Sequence, residues 1–258
     1  MSDNKQNNNK MKKRILITFL FCCATLLMII GANSIISNKE SVKPNKQKPS
    51  SFTTMEEIKL PAPSHSGDMS VEEALQTRRS FRNFKQQSLS LEQVSQLLWA
   101  TYGVSYVSSS GREYKTAPSA GATYPLEIYL LVGNVENLEP GLYRYLPGPH
   151  SLLPEKAGDL RKAVKDACLG QKMLEEAPAS IVFSAVYERT TSRYGTRGDE
   201  RYVCMDLGHA AQNTYLQATA MGLVTCAVGA FEDDKLQKVL QFPANEKVLY
   251  LMPVGYTE

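Results

Sequence analysis

The chain has almost no charge of one sign to spare: 29 Lys and Arg stand against 26 Asp and Glu over 258 residues, a net +3 with neutral histidines. That balance does not point to a nucleic-acid partner, the more so because much of the excess lies at the ends of the first apolar segment. Cysteine is sparse as well. Of five, Cys22 and Cys23 fall inside that segment. Cys168, Cys204 and Cys226 are odd in number and lack any C-x-x-C spacing, which speaks against a disulfide framework or a metal site; each sits among apolar neighbours and reads as a buried thiol. There is no Walker loop, no G-x-S-x-G elbow, no H-E-x-x-H and no well-formed Rossmann fingerprint, so ordinary hydrolase and zinc chemistry find no support.

What the chain does have is one long hydrophobic run. Residues 15 to 36, ILITFLFCCATLLMIIGANSII, are uncharged and follow Lys12, Lys13 and Arg14. Their length matches the ~20 residues a helix needs to cross a bilayer. The basic flank should stay cytoplasmic, which puts the rest on the extracytoplasmic side, periplasmic or extracellular. The run is either a retained membrane anchor or a signal peptide, starting from Met11 and cut near Ala32 to Ser34; no clean A-x-A site decides between them. Residues 1–14 read as a basic disordered leader, 37–66 as a flexible Pro/Lys/Ser linker, and 67–258 as one folded domain.

Within that domain, Ser70 and Glu73 form an S-x-x-E capping box ahead of a short helix ending near Arg79, and Ser90 opens a second helix in which Leu91, Val94, Leu97 and Leu98 recur at helical spacing. A strand is expected at 127–133, a hairpin over GLYRYLPGPHSLLP, a helix over 157–169 and a buried strand from Ala179. A long helix over ERYVCMDLGHAAQNTYLQATAMG should stop at Gly222. Beyond it come a strand LVTCAVGAF, a short helix capped by Asp233 and a final strand VLYLMPVG. Helices and strands mix without a regular β-α-β rhythm, so the expected class is α+β.

Four stretches could carry chemistry. Arg78, Arg79, Ser80 and Arg82 put three guanidiniums and a hydroxyl within five residues, a fork suited to phosphate, although a solvated basic helix end is the plainer reading. Pro118, Ser119, Ala120 and Gly121 place bare backbone just before a buried strand, where a flat ligand could lie against main-chain groups; an ordinary loop would look the same. On the long helix, Gly208, Ala210, Ala211, Ala218 and Ala220 thin the surface for a packed helix, which could belong to a second subunit, and His209, Gln212 and Asn213 set polar atoms among them. Gly229 and Ala230 close an apolar strand with unobstructed main-chain donors, or form a tight strand exit.

Taken in order, the blocks RRSFRNF, LSLEQVSQLLWATYG, APSAGATYPLEIYLL, GLYRYLPGPHSLLP, RYVCMDLGHAAQNTYLQATAMGLVTCAVGAF and LYLMPVG resemble the SagB-type dehydrogenase branch of the nitroreductase flavoprotein superfamily. The resemblance implies an α+β nitroreductase-like fold, a central mixed β-sheet flanked by helices, and a homodimer with FMN at the subunit interface. By matching position it implies that Arg78, Arg79 and Ser80 contact phosphate and ribityl, that Arg82 lies near the pyrimidine edge, and that Gln212 also touches the cofactor. Pro118, Ser119, Ala120 and Gly121 would line the ring from the facing subunit, and Gly229 and Ala230 would approach N5. Two departures stand out. Basic residues beyond the PVG block are expected in the family, whereas this sequence ends at Glu258, so phosphate binding should lean on the N-terminal arginines. Heterocycle-oxidising relatives use a Lys-Tyr pair before the long helix, where this chain has Arg201 and Tyr202. Arginine is a poor proton acceptor because its pKa is about 12 or higher; Tyr202 could donate a proton, orient a substrate or simply pack. The expected activity is FMN-dependent hydride transfer to or from a small organic substrate, with NAD(P)H as a candidate donor. The alternatives are peptide azoline oxidation and a non-catalytic flavin-holding module.

Overall fold

The computed structural model describes residues 56 to 257. The leader, the 15–36 run and most of the expected linker lie outside the described residues; among those described, no helix is long and apolar enough to cross a membrane. The chain runs through β1 (Ile58–Lys59), α1 (Val71–Thr77), α2 (Leu91–Tyr102), β2 (Val104–Val107), β3 (Glu113–Lys115), β4 (Leu126–Val132), β5 (Gly141–Leu146) and β6 (Ser151–Ala157). It continues through α3 (Arg161–Ala167), α4 (Met173–Glu176), β7 (Ala179–Ala185), α5 (Glu188–Tyr194), a π-turn at Gly198–Tyr202, α6 (Val203–Ala220), β8 (Val224–Thr225), α7 (Asp233–Leu240) and β9 (Lys247–Gly255).

Strand β4 lies inside a seven-stranded sheet of order β1-β6-β5-β4-β7-β9-β8. Its alternation is that of a strand covered on both faces: Leu126, Ile128, Leu130 and Val132 join one buried cluster, Tyr129 and Leu131 the other. The first cluster sits under α2 and α6, the second under α3 and α7. Ser90 caps α2, accepting from the Gln93 N–H while the Gln93 side chain accepts from the Ser90 N–H. Ser70 caps α1 through the Glu73 N–H at 3.1 Å.

Several expectations need correction. The sheet is not mixed: every pairing between named strands is antiparallel, and the one parallel contact within it is an isolated bridge, Ser80 to Thr225. The short connections at 133–140 and 147–150 permit only antiparallel neighbours, since a parallel return needs a crossover of a dozen residues or more. The flexible linker expected up to residue 66 is already structured before that point. Ile58 and Lys59 pair with Leu152 and Ser151, Glu57 accepts from the Ser151 hydroxyl, and Leu60 is buried. Asp233 is the first residue of α7 rather than its cap; Glu232 occupies that place without a side-chain bond. The strand expected over LVTCAVGAF shrinks to Val224–Thr225 plus a bridge from Val228 to Leu251. Cys168 and Cys226 are buried, but Cys204 is exposed. Of the small residues of α6, Ala210, Ala211 and Ala218 are buried in the cluster beneath α2, while Gly208 and Ala220 face out.

Candidate functional site

Helix α1 ends at Arg78, and the chain then runs beside 225–227. Ser80 bridges Thr225, and the Phe81 N–H donates to the Thr225 carbonyl at 3.1 Å. Tyr215 of α6 ties the two segments together. Its hydroxyl accepts from the Ala227 N–H at 2.8 Å and lies 2.9 Å from the Ser80 hydroxyl, while its ring carries the Arg78 guanidinium 5.0 Å from the centroid. Arg79 turns back onto the carbonyls of Gln76 and Arg78 at 2.9 and 2.8 Å, and Arg82 is exposed. None of the three arginines has a carboxylate partner among the described residues. Gln212 is exposed one turn before Tyr215. Gly229 and Ala230 follow at an exposed strand exit, where a Cβ on Gly229 would come within 2.9 Å of the Tyr250 ring and the Ala230 carbonyl is held by Gln171 at 2.9 Å. The fold thus brings Arg78 and Ser80 to one tyrosine, with Arg79 and Arg82 on the same segment, Gln212 three residues before that tyrosine on α6, and Gly229 and Ala230 just beyond the Ala227 it holds.

The bare loop forms a second cluster. The Ser119 hydroxyl donates to the Asp206 carboxylate at 2.5 Å and accepts from the Tyr124 N–H at 2.9 Å; the Ala120 N–H reaches the other Asp206 oxygen at 3.3 Å. Asp206 is 2% exposed. Burial raises its carboxyl above the usual range, opposed by the bonds from Ser119 and Ala120 and by the charge of His209. The loop curls tightly enough that Gly121, Ala122 and Tyr124 all adopt positive φ. Gly121 is needed there twice over, because a Cβ would also fall 2.4 Å from the Tyr194 hydroxyl. Tyr202 packs edge-on against Tyr194 at 5.0 Å, which brings it beside this loop, and Arg201 is exposed on the π-turn.

Just before the loop, Lys115 is half-buried with its ammonium 3.9 Å from the Tyr102 ring centroid and 5.2 Å from that of Tyr124. Burial lowers its pKa from 10.5 to about 8. Below that value the native chain holds a charge partly withdrawn from water. Between about 8 and 10.5 the unfolded chain keeps a proton that the native chain has shed, so native stability rises with pH across that window. From pH 8 to 9.5 the wild type should gain roughly 1 to 2 kcal/mol relative to Lys115→Met, because a full proton of difference between the two states is worth about 1.4 kcal/mol for each pH step of one. Urea unfolding of both proteins at the two pH values measures this; an unchanged difference would refute it.

The two clusters leave α6 on different faces. Asp206 and Tyr215 stand nine residues apart on α6, which at 100° and 1.5 Å per residue sets them on opposite sides of the helix and ~13 Å apart along it. As a donor set, the first cluster fits the phosphate end of a phosphorylated ring cofactor: guanidiniums without carboxylate partners among the described residues, and a hydroxyl. A separate open cavity of about 340 Å³ lies between residues 64–70, α1, α2 and α6, beside the stacked rings of His65 and Trp99.

The model of the Nitroreductase family matches residues 75–256. The chain belongs to the nitroreductase family. Membership sets this nitroreductase-family protein among the oxidoreductases, with the α+β fold described above. It is 44% identical over 188 residues to the Methanocaldococcus jannaschii protein named "Putative nitroreductase MJ1384", covering 73% of this chain and 91% of the relative. A Ralstonia eutropha crystal structure, also named a putative nitroreductase, superposes with a TM-score of 0.69 at 30% identity, covering 82% of this chain and 94% of that one. The Escherichia coli Microcin B17-processing protein McbC is 28% identical over 157 residues, 59% of this chain. The chain spans about half the length of McbC, 56%.

Sequence reasoning missed Asp206 and Tyr215, the two residues that organise the clusters. A signal for Asp206 is present: it shares the i, i+4, i+8, i+12 stripe with Ala210, Thr214 and Ala218, all buried, and a carboxylate on such a stripe must have partners. Tyr215 gives none, because its contacts come from segments far away in sequence.

Proposed function

We propose that this protein is an FMN-dependent oxidoreductase working as a homodimer, with each site built from the arginine cluster of one subunit and the bare loop of the other. The observation that carries this reading is the placement of the two clusters on opposite sides of α6, where a second copy is the simplest way to bring complementary halves face to face. Arg78, Arg79 and Ser80 hold the phosphate and ribityl chain. Arg82 sets a positive charge near the pyrimidine edge, Gln212 adds a contact, and the main chain at Gly229 and Ala230 lies at the reacting edge. Pro118, Ser119, Ala120 and Gly121 cover the ring without side chains to obstruct a substrate. Tyr202, held against the loop by Tyr194, is placed to orient a substrate or give it a proton, with Arg201 beside it. The bound flavin supplies hydride transfer at N5, between a donor such as NAD(P)H and a small organic acceptor. The 15–36 run attaches or exports the domain, which then works outside the cytoplasm.

The SagB-type resemblance, with likeness to a microcin-processing protein beside it, favours a second reading, oxidation of azoline rings in a peptide; Arg201 in place of a lysine weighs against it. The test is an absorbance spectrum and ligand mass for the full-length protein purified in detergent, with NAD(P)H added anaerobically. Yellow protein that bleaches supports the reductase. Yellow protein that NAD(P)H leaves oxidised points to another donor or to a flavin-holding module. Colourless protein that FMN cannot reconstitute ends the flavin reading.

A further inference from the structure

We propose that Arg112 and Arg193 form a guanidinium fork at the bare loop that selects substrates carrying an anionic oxygen group, a carboxylate or a phosphate. The inference rests on the reading that this loop borders the reaction site. Arg112 comes from the turn between β2 and β3, Arg193 from α5, and both reach the same carbonyl: Gly121 oxygen, at 3.2 Å from Arg112 and 3.4 Å from Arg193. Arg112 also reaches the Ala122 carbonyl at 3.3 Å.

Anchoring a loop does not need so many donors. A guanidinium carries five N–H groups, and the loop takes one from Arg193 and shares one from Arg112. Neither residue has a carboxylate partner among the described residues, and both are exposed. Each guanidinium lies near a ring, Arg112 5.5 Å from the Tyr114 centroid and Arg193 5.3 Å from that of Tyr194, which restrains its plane. The carboxylate nearest the loop, Asp206, is committed to Ser119 and Ala120. The rim at Gly121 therefore has positive charge, spare planar donors and, among the described residues, no carboxylate within ion-pair distance of either guanidinium, the arrangement that binds a planar carboxylate or a phosphate through paired bonds.

The test compares equilibrium binding of 4-nitrobenzoate and 4-nitrobenzamide, which differ in charge but hardly in shape, to the full-length protein by calorimetry. NADPH against NADH forms a second pair and shows whether the anion belongs to the acceptor or to the electron donor. The wild type should prefer the charged member of at least one pair by roughly tenfold, the scale of one charge-assisted bond. Arg112→Gln with Arg193→Gln should bring that ratio to within about twofold, and Arg112→Lys with Arg193→Lys, which keeps the charge but loses the planar fork, should restore only part of it. If the glutamine pair fails to fold, the wild-type ratio and the lysine pair still decide. Equal binding within both pairs by the wild type, or a ratio untouched by the lysine pair, overturns the fork. Binding needs no turnover, so a colourless protein that still prefers the anion would end the flavin reading alone, and a flavin-loaded protein without preference would end this one alone.

Discussion

Alanine at both Arg78 and Arg79 should lower FMN affinity by about two to four decades. Each charge-assisted phosphate bond is worth ~1.5 to 3 kcal/mol, and two are lost. The expectation is largest here because no other arginine lies in the segment that Tyr215 pins beside 225–227 except Arg82, which the reading assigns to the ring. Arg78 also loses its seat on the Tyr215 ring, a half-buried contact worth roughly 0.5 to 2 kcal/mol, so thermal unfolding of the cofactor-free variant must accompany the titration. Flavin released on denaturation and fluorescence titration of the stripped protein give the affinity. FMN occupancy equal to the wild type would reject the phosphate assignment.

The second large effect is on the fold of the loop itself. Asp206→Ala leaves the Ser119 hydroxyl and the Ala120 N–H without their acceptor in a part-buried setting, at about 1 to 3 kcal/mol for each orphaned group. The loop also stands in three positive-φ conformations that persist only while surrounding contacts enforce them. We expect a loss of about 2 to 4 kcal/mol, which for a domain of this size lowers Tm by roughly 5 to 15 °C. Hydrogen exchange should quicken across 118–124 and stay slow in β4 and β7. Asp206→Asn keeps one acceptor oxygen and should cost less. A native Tm and native loop protection in Asp206→Ala would show that the carboxylate is not what holds the loop.

Much of the architecture can be read from local pattern. The helices after Ser70 and Ser90 are marked by caps that bond as their sequences suggest, and β4 by its alternation. What local pattern cannot supply is anything set at long range. Ile58 and Lys59 look like linker because a two-residue edge strand has no periodicity of its own; only β6 makes them a strand. The expectation of a mixed sheet rests on family likeness alone, whereas the direction of β4, β5 and β6 is set by their short connections rather than by side chains. Asp233 looks like a cap only from its residue type. The arginines, the bare loop and the 229–230 exit are visible as stretches; of the residues that hold the first two, Asp206 is marked by its buried stripe on α6, whereas the contacts of Tyr215 show in no local pattern.

One consequence of α6 concerns which sequences this architecture can tolerate. Inserting a single amino acid between positions 206 and 215 would swing everything downstream by about 100° and advance it by 1.5 Å, so one contact or the other would be carried off its target. Length changes should therefore be forbidden in that nine-residue interval and admitted at its margins, where the π-turn at Gly198–Tyr202 already shows the backbone absorbing an irregular step.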